Sequence, residues 1–268
     1  MKKRRAEGKG RDEMIVMNRE GGLCSQDEHK FSIFSYDEEH YRAIELISPF
    51  PRGKALDLPA GHGRLSWLLS RNGYQVIAGD IQLSYFQYPE IPIARMDMES
   101  VFPFRDNTFD YAFLIEGPEH VENIYHVFRE FARVLKPGGK LVLSCPNYSN
   151  IESRLRMLFY GIAEPVTSRD RLRTDFKDNP SMVHINRPLY PLLKMALEFA
   201  GFDVEEITTV NSKRKQALLY PVYLLIGLFT AIKGKKGNAK YWLKESNCAR
   251  VLMGGNALMV MAGVSKAN

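Results

Sequence analysis

At about 150 residues per domain, a chain of 268 residues has room for one elaborated α/β domain, or one domain with a small cap. Its composition, 45% hydrophobic and 25% charged, excludes collagen-like, disulfide-stapled and wholly disordered classes. The formal net charge of +6 is local: Asn211–Lys244 holds eight Lys and Arg and no acid, so the rest of the chain sums to −2, which weighs against a diffuse nucleic-acid-binding surface.

Residues 1–34 read as a polar tail and lead-in, without the apolar run of a signal peptide. Cys24, Cys145 and Cys248 are widely spaced and form no CxxC or Cys/His pattern, so a cytoplasmic setting is expected. Ser35-Tyr36-Asp37-Glu38 fits a capping box opening a helix to about Ile47. From Lys54 the pattern alternates. Strands are predicted at Lys54–Leu58, Gln75–Asp80, Ile93–Met98, Tyr111–Glu116 and Lys140–Cys145. A helix is expected over Gly61–Arg71, and another where Val121, Ile124, Phe128, Phe131 and Leu135 step by three and four. Lys136-Pro137-Gly138-Gly139 should stop that helix. Such alternation means βαβ units and a parallel sheet covered on both faces. The rhythm breaks over 146–186 after a short helix near Ile151–Tyr160, then resumes with a helix ended by Gly201 and strands at Phe202–Val210 and Ala257–Val264. The resulting division is a core over 35–210 with a lid insertion at 146–186, a second insertion at 211–255, and a final strand in 256–268.

The first strand runs into Asp57-Leu58-Pro59-Ala60-Gly61-His62-Gly63. A strand, a glycine turn and a helix start make a cradle where a flat ligand approaches the backbone, and the helix N-terminus favours an anionic group. Asp80 closes the second strand, where a carboxylate can accept from both hydroxyls of a ribose. A dinucleotide or an adenosyl ligand would suit, but Ser66 stands where GxGxxG requires its third glycine.

Further segments join the loop in order: Asp97-Met98, Phe104 to Tyr111, Glu119-His120-Val121, and Leu135 to Leu141. This set resembles the class I S-adenosylmethionine-dependent methyltransferases, in the branch of quinone, glycan and other small-molecule enzymes. The resemblance implies a Rossmann-like, doubly wound seven-stranded sheet with the last strand antiparallel, and S-adenosylmethionine as cofactor. By position it implies that Pro59, Ala60, Gly61 and Gly63 line the methionine part, with Asp57 ordering the loop through its amides or a water. It assigns Asp80 to the ribose, Ile81, Asp97 and Met98 to the adenine, and Ile115 and Glu116 to the methionine end. Pro59 departs from the family's usual glycine, and proline lacks an N–H and fixes φ.

An oxygen or nitrogen nucleophile needs a base, and His120 and His184 are the candidate catalytic residues, each with a helix-capping or carbonyl-bonding role as the alternative. Glu119 reads as a solvated helix-terminal acid, and Cys145 as strand-end packing. No metal is expected, because the segment after the fifth strand, Cys145 to Asn150, lacks clustered carboxylates. The lid mixes Tyr148, Phe159, Tyr160 and Phe176 with Arg154, Arg156, Arg169, Arg171 and Arg173, which suits an anionic or glycosylated substrate or an ordinary solvated helix.

The second insertion centres on Ala217–Ile232, sixteen residues without a charge between Lys213-Arg214-Lys215 and Lys233/Lys235/Lys236. A spanning helix needs about 20 apolar residues, and two strands of one sheet must bracket this segment. An anionic membrane surface and a packed cap or dimer helix both remain open. The expectation is methyl transfer to a small-molecule, glycan or lipid-linked acceptor, at oxygen by family analogy. A non-catalytic module of the same fold, docking through 211–255, is the alternative.

Overall fold

A computed structural model describes residues 37–165, 183–210 and 214–265. The tail, the capping-box Ser35 and the lid residues Arg169, Arg171, Arg173 and Phe176 lie outside that range. The strands are β1 (Lys54–Asp57), β2 (Gln75–Asp80), β3 (Ile93–Arg95), β4 (Phe109–Leu114), β5 (Leu135–Pro146), β6 (Phe202–Val210) and β7 (Ala257–Val264). The helices are α1 (Asp37–Ile47), α2 (Arg64–Arg71), α3 (Ile124–Val134), α4 (Ile151–Tyr160), α5 (Tyr190–Phe199), α6 (Tyr220–Tyr241), α7 (Leu243–Ser246) and α8 (Ala249–Leu252).

The seven strands form one sheet in the order β3-β2-β1-β4-β5-β7-β6. The first five pair in parallel, while β7 runs antiparallel to both β5 and β6. The central strands are nearly all apolar because helices cover both faces. Leu56, Phe113, Leu143 and Val260 are fully buried, and α3 lays Val127, Phe128 and Phe131 on one face. Burying such side chains contributes about 1.5–3 kcal/mol each, and that binds the strand order.

Several bounds differ from the sequence reading: β3 stops at Arg95 rather than Met98, β4 runs Phe109–Leu114 rather than Tyr111–Glu116, and the helix marked by Val121 to Leu135 is Ile124–Val134. Two further differences reshape the chain. Lys136 to Gly139 was expected to separate a helix from a strand, yet β5 begins at Leu135, which pairs with Phe109 before the register shifts and resumes at Lys140 opposite Tyr111. The breaker is a bulge inside the ladder: Gly138 takes φ +77, and a Cβ on Gly139 would lie 2.8 Å from the Lys136 carbonyl oxygen. Helix α2 starts at Arg64 rather than Gly61, since Gly61 and Gly63 adopt φ +51 and +85 and form the turn before it.

β6 and β7 are in register, with Val210 opposite Ala257, so the second insertion leaves and returns at one sheet end. Its base is fastened to the core. Arg154 donates to Asn247 Oδ1 and to the Ser246 carbonyl, both at 2.7 Å, and Lys194 pairs with Glu245 at 2.6 Å. The lid arginine Arg154 therefore points to the insertion, and Arg156 pairs with Glu152 on its own helix.

Candidate functional site

The carboxyl ends of β1, β2, β4 and β5 converge on one edge of the sheet, where open α/β sheets bind ligands. The turn after β1 is held from two sides. The Ala60 amide donates to the Gly79 carbonyl at 2.9 Å, and the Gly61 amide to Asp80 Oδ2 at 2.8 Å. Asp80 is buried, and its second oxygen accepts from the Gln82 amide at 2.8 Å. The acid at the end of β2 thus braces the glycine turn as well as edging the site.

Gly61 and Gly63 serve different ends. A Cβ on Gly61 would meet nothing within 4 Å, so the backbone faces open space. A Cβ on Gly63 would fall 2.5 Å from the Phe86 ring; packing under the segment after β2 demands this glycine. Pro59, half-buried, opens the turn, and the amides that brace it belong to Ala60 and Gly61, so the missing proline N–H leaves the brace intact.

Asp57 orders the loop through a contact the sequence reading did not name. Its Oδ2 accepts from the Ser66 hydroxyl at 2.6 Å, both groups being buried, and burial pushes the Asp57 carboxyl up to about 7. Ser66, noticed only as a missing glycine, ties β1 to α2.

Beside the turn, Ile81, Arg95, Met96, Asp97, Ser100 and Val101 line most of a concavity of about 450 Å³. Ile81 is 44% exposed and supplies an apolar wall, while Asp97 is exposed with Oδ1 accepting from the Glu99 amide. Met98 packs against the core alongside. Open backbone at Gly61, a braced carboxylate at Asp80 and an apolar recess with an acid at its rim fit an adenosyl ligand. A second concavity, lined by Lys54, Asp110 and Lys136 among others, is at the opposite strand ends.

Beyond β4 the chain builds a buried polar cluster. Ile115 is buried, and Glu116 adopts φ +48, a left-handed conformation that costs a non-glycine residue about 1–3 kcal/mol. Its amide donates to Ser144 Oγ at 3.0 Å, and the Ser144 hydroxyl donates to Glu39 Oε2 at 2.7 Å. Burial, with Glu116 beside it, pushes Glu39 up to about 8, and burial and the Glu119 carboxyl hold Glu116 well above the usual range. Glu119 corrects the sequence reading: it is fully buried rather than solvated, and burial pushes it to about 8. Glu-Gly-Pro-Glu-His looks like a loop in sequence, but Pro118–His120 form a short 3₁₀ turn whose Glu119 carbonyl accepts from the Ile185 and Asn186 amides.

That turn brings the two histidines together, with ring centroids 5.0 Å apart. His120 Nδ1 lies 3.2 Å from the Val183 carbonyl oxygen, while His184 Nδ1 lies 3.3 Å from the Tyr148 hydroxyl and 3.4 Å from Glu164 Oε2. The absence of metal was expected from the segment after β5, but a set of ligand-type atoms assembles elsewhere: one each from Glu119, His120 and His184, all within 4.8 Å of one another. Glu39, Ser144 and Glu164 were missed because they converge from distant elements and form no motif, and Tyr148 was read only as part of the lid. Cys145 is fully buried, in keeping with packing.

Residues 56–143 match the family described as a methyltransferase domain. Over those residues the chain is similar to a methyltransferase domain. Part of the chain is similar in sequence to curated relatives, two demethylmenaquinone methyltransferases among them. The demethylmenaquinone methyltransferase of Corynebacterium kroppenstedtii is 35% identical over 100 residues, covering 36% of this chain and 43% of that one. The demethylmenaquinone methyltransferase of Streptomyces avermitilis is 33% identical over 104 residues, 37% of this chain and 45% of that one. The match thus spans less than half the length of either relative. In fold, a SAM-dependent methyltransferase from Archaeoglobus fulgidus superposes with a TM-score of 0.55 at 17% identity, covering 85% of this chain and 94% of that one. The [4+2]-cyclase SpnF superposes at 0.53 and 19% identity, over 86% and 82%. At such identity these likenesses show the fold alone.

Proposed function

We propose that this protein transfers a methyl group from S-adenosylmethionine to a small, quinone-type acceptor held at a lipid surface. The observation that carries the reading is the juxtaposition of the open Gly61 backbone, the Asp80 brace and the Ile81–Asp97 recess on one sheet edge. Gly61 and Ala60 would line the methionine part, Asp80 the ribose, and Ile81, Asp97 and Met98 the adenine. The bound sulfonium supplies an activated methyl group and its own leaving group. The protein's contribution is alignment and exclusion of water. The buried Ile115 and the half-buried Glu116 would close the methionine end, and His120 and His184 would face the acceptor.

The acceptor class draws on two supports. The relatives named above are demethylmenaquinone methyltransferases. Within this chain, residues 216–241 form the one span among the described residues long and apolar enough to cross a membrane, and its most apolar 18-residue window holds no buried residue. Leu225 is 67% exposed and Ile232 74%, with Lys233, Lys235 and Lys236 exposed directly after. Both ends of the insertion are pinned to one sheet end, so α6 lies on a lipid surface instead of spanning it. Apolar side chains enter the acyl boundary and lysines meet anionic headgroups.

The test is turnover. Full-length protein, methyl-labelled S-adenosylmethionine and a demethylated quinol in anionic liposomes should yield labelled, lipid-extractable product. Label transferred only to water-soluble glycans would overturn the acceptor assignment.

A further inference from the structure

We propose that Glu119, His120 and His184 hold a divalent transition-metal cation at the acceptor end of the site. The location at the acceptor end rests on the reading above; the cation site itself rests on the geometry of the three side chains. They come from two separate segments, the turn after β4 and the irregular segment before α5, and the structure pins those segments together. The Glu119 carbonyl accepts from the Ile185 amide at 2.9 Å and from the Asn186 amide at 3.0 Å. One potential ligand atom from each residue lies within 4.8 Å of the others. Zinc-type bonds of about 2.0–2.1 Å set ligand atoms roughly 3.3 Å apart in a tetrahedron, a contraction within reach of side-chain rotation.

A second observation points to a missing ligand. Glu119 is 0% exposed, and among the described residues its carboxylate oxygens meet no side-chain hydroxyl, amide or cationic hydrogen-bond donor, only the neighbouring Glu116 carboxyl. A buried carboxylate without such a donor costs several kcal/mol in general. His120 Nε2 lies 3.9 Å from Glu119 Oε1.

The surroundings of the histidines suit ligation. His120 Nδ1 lies 3.2 Å from the Val183 carbonyl oxygen, and its Nε2 lies 3.9 Å from Glu119 Oε1, so the carbonyl orients the ring toward the acid. A ligating histidine ordinarily fixes its tautomer through such a carbonyl. His184 has a carboxylate and a hydroxyl beside it, Glu164 and Tyr148. Glu164 is itself held by Arg187 Nε at 3.6 Å. The side chains of His120 and His184 are 20% and 32% exposed, so one side of the cluster is open to water or to an acceptor oxygen. Two imidazoles and one carboxylate favour zinc, cobalt, iron or manganese over calcium.

The test uses full-length protein stripped with a chelator and titrated with Co²⁺, followed by visible d–d absorption and by metal content after gel filtration. The expected result is close to one Co²⁺ per chain. Glu119→Gln and His184→Ala should each weaken Co²⁺ binding by at least about tenfold, while His126→Gln, on α3, should leave it unchanged. Retention far below one equivalent, or an affinity untouched by the first two substitutions, overturns the proposal. Should Glu119→Gln fail to fold, His184→Ala carries the test alone, since its side chain is partly exposed. Calorimetry with S-adenosylmethionine on the same samples separates the outcomes. Cofactor binding without Co²⁺ removes the cation site only, and loss of cofactor binding by the unsubstituted protein removes the methyltransferase reading.

Discussion

Asp57 sits inside the protein with the Ser66 hydroxyl as its side-chain partner. Burial raises its folded-state pKa to about 7, above the unfolded carboxylate value. The protonated form is therefore favoured by folding. Its contribution is fully present below about pH 4 and is lost as pH rises through about 7. Asp57→Asn keeps an acceptor for Ser66 and removes the titration. Urea unfolding at several pH values should show the variant gaining on the parent between pH 4 and 7; parallel stability curves would contradict this. Asp80 invites a different substitution. It braces the Gly61 amide and borders the proposed ribose site, so Asp80→Ala should weaken S-adenosylmethionine binding at least tenfold, about 1.4 kcal/mol. Calorimetric affinity equal to that of the parent would remove Asp80 from the site.

At the scale of elements, α6 is set apart by what fails to cover it. It is continuous from Tyr220 to Tyr241 except at Gly234, whose φ of +50 and ψ of −141 separate an apolar arm from a basic end. Asn247 donates to Thr230 Oγ1 at 2.7 Å and joins the arm to the fastened base. Leu224 and Leu225 are 53% and 67% exposed, so replacing both with Glu should spare the fold and abolish co-sedimentation with anionic liposomes. Sedimentation equal to the parent's would sink the lipid-surface reading. The strands β2, β6 and β7 and the helix α4 were legible to the residue, because each is a clean apolar or amphipathic run bounded by turn residues. The bulge in β5 was not, since proline and glycine breakers read alike whether they end an element or bow out of a ladder. The cradle around Gly61 and Asp80 was visible because it lies on one strand–turn–helix unit and the strand beside it. The cluster around Glu119 was not: Glu39, Ser144, Glu164 and His184 come from four other places in the chain, and local polarity cannot tell a buried carboxylate from a solvated one.

For the whole molecule, the sheet places the adenosyl recess, the glycine turn and the buried acid–histidine cluster along one edge, and fastens the apolar arm to the antiparallel side beyond β7. Under the proposed function, cofactor, acceptor and lipid surface would occupy separate parts of one sheet. The central claim is that the turn from Asp57 to Gly63 with Asp80 is built for an adenosyl sulfonium. Calorimetric titration of the full-length protein with S-adenosylmethionine and, in parallel, with NAD tests it most directly. Micromolar binding of S-adenosylmethionine and none of NAD is the predicted result. No binding of S-adenosylmethionine, or preference for NAD, would contradict the account.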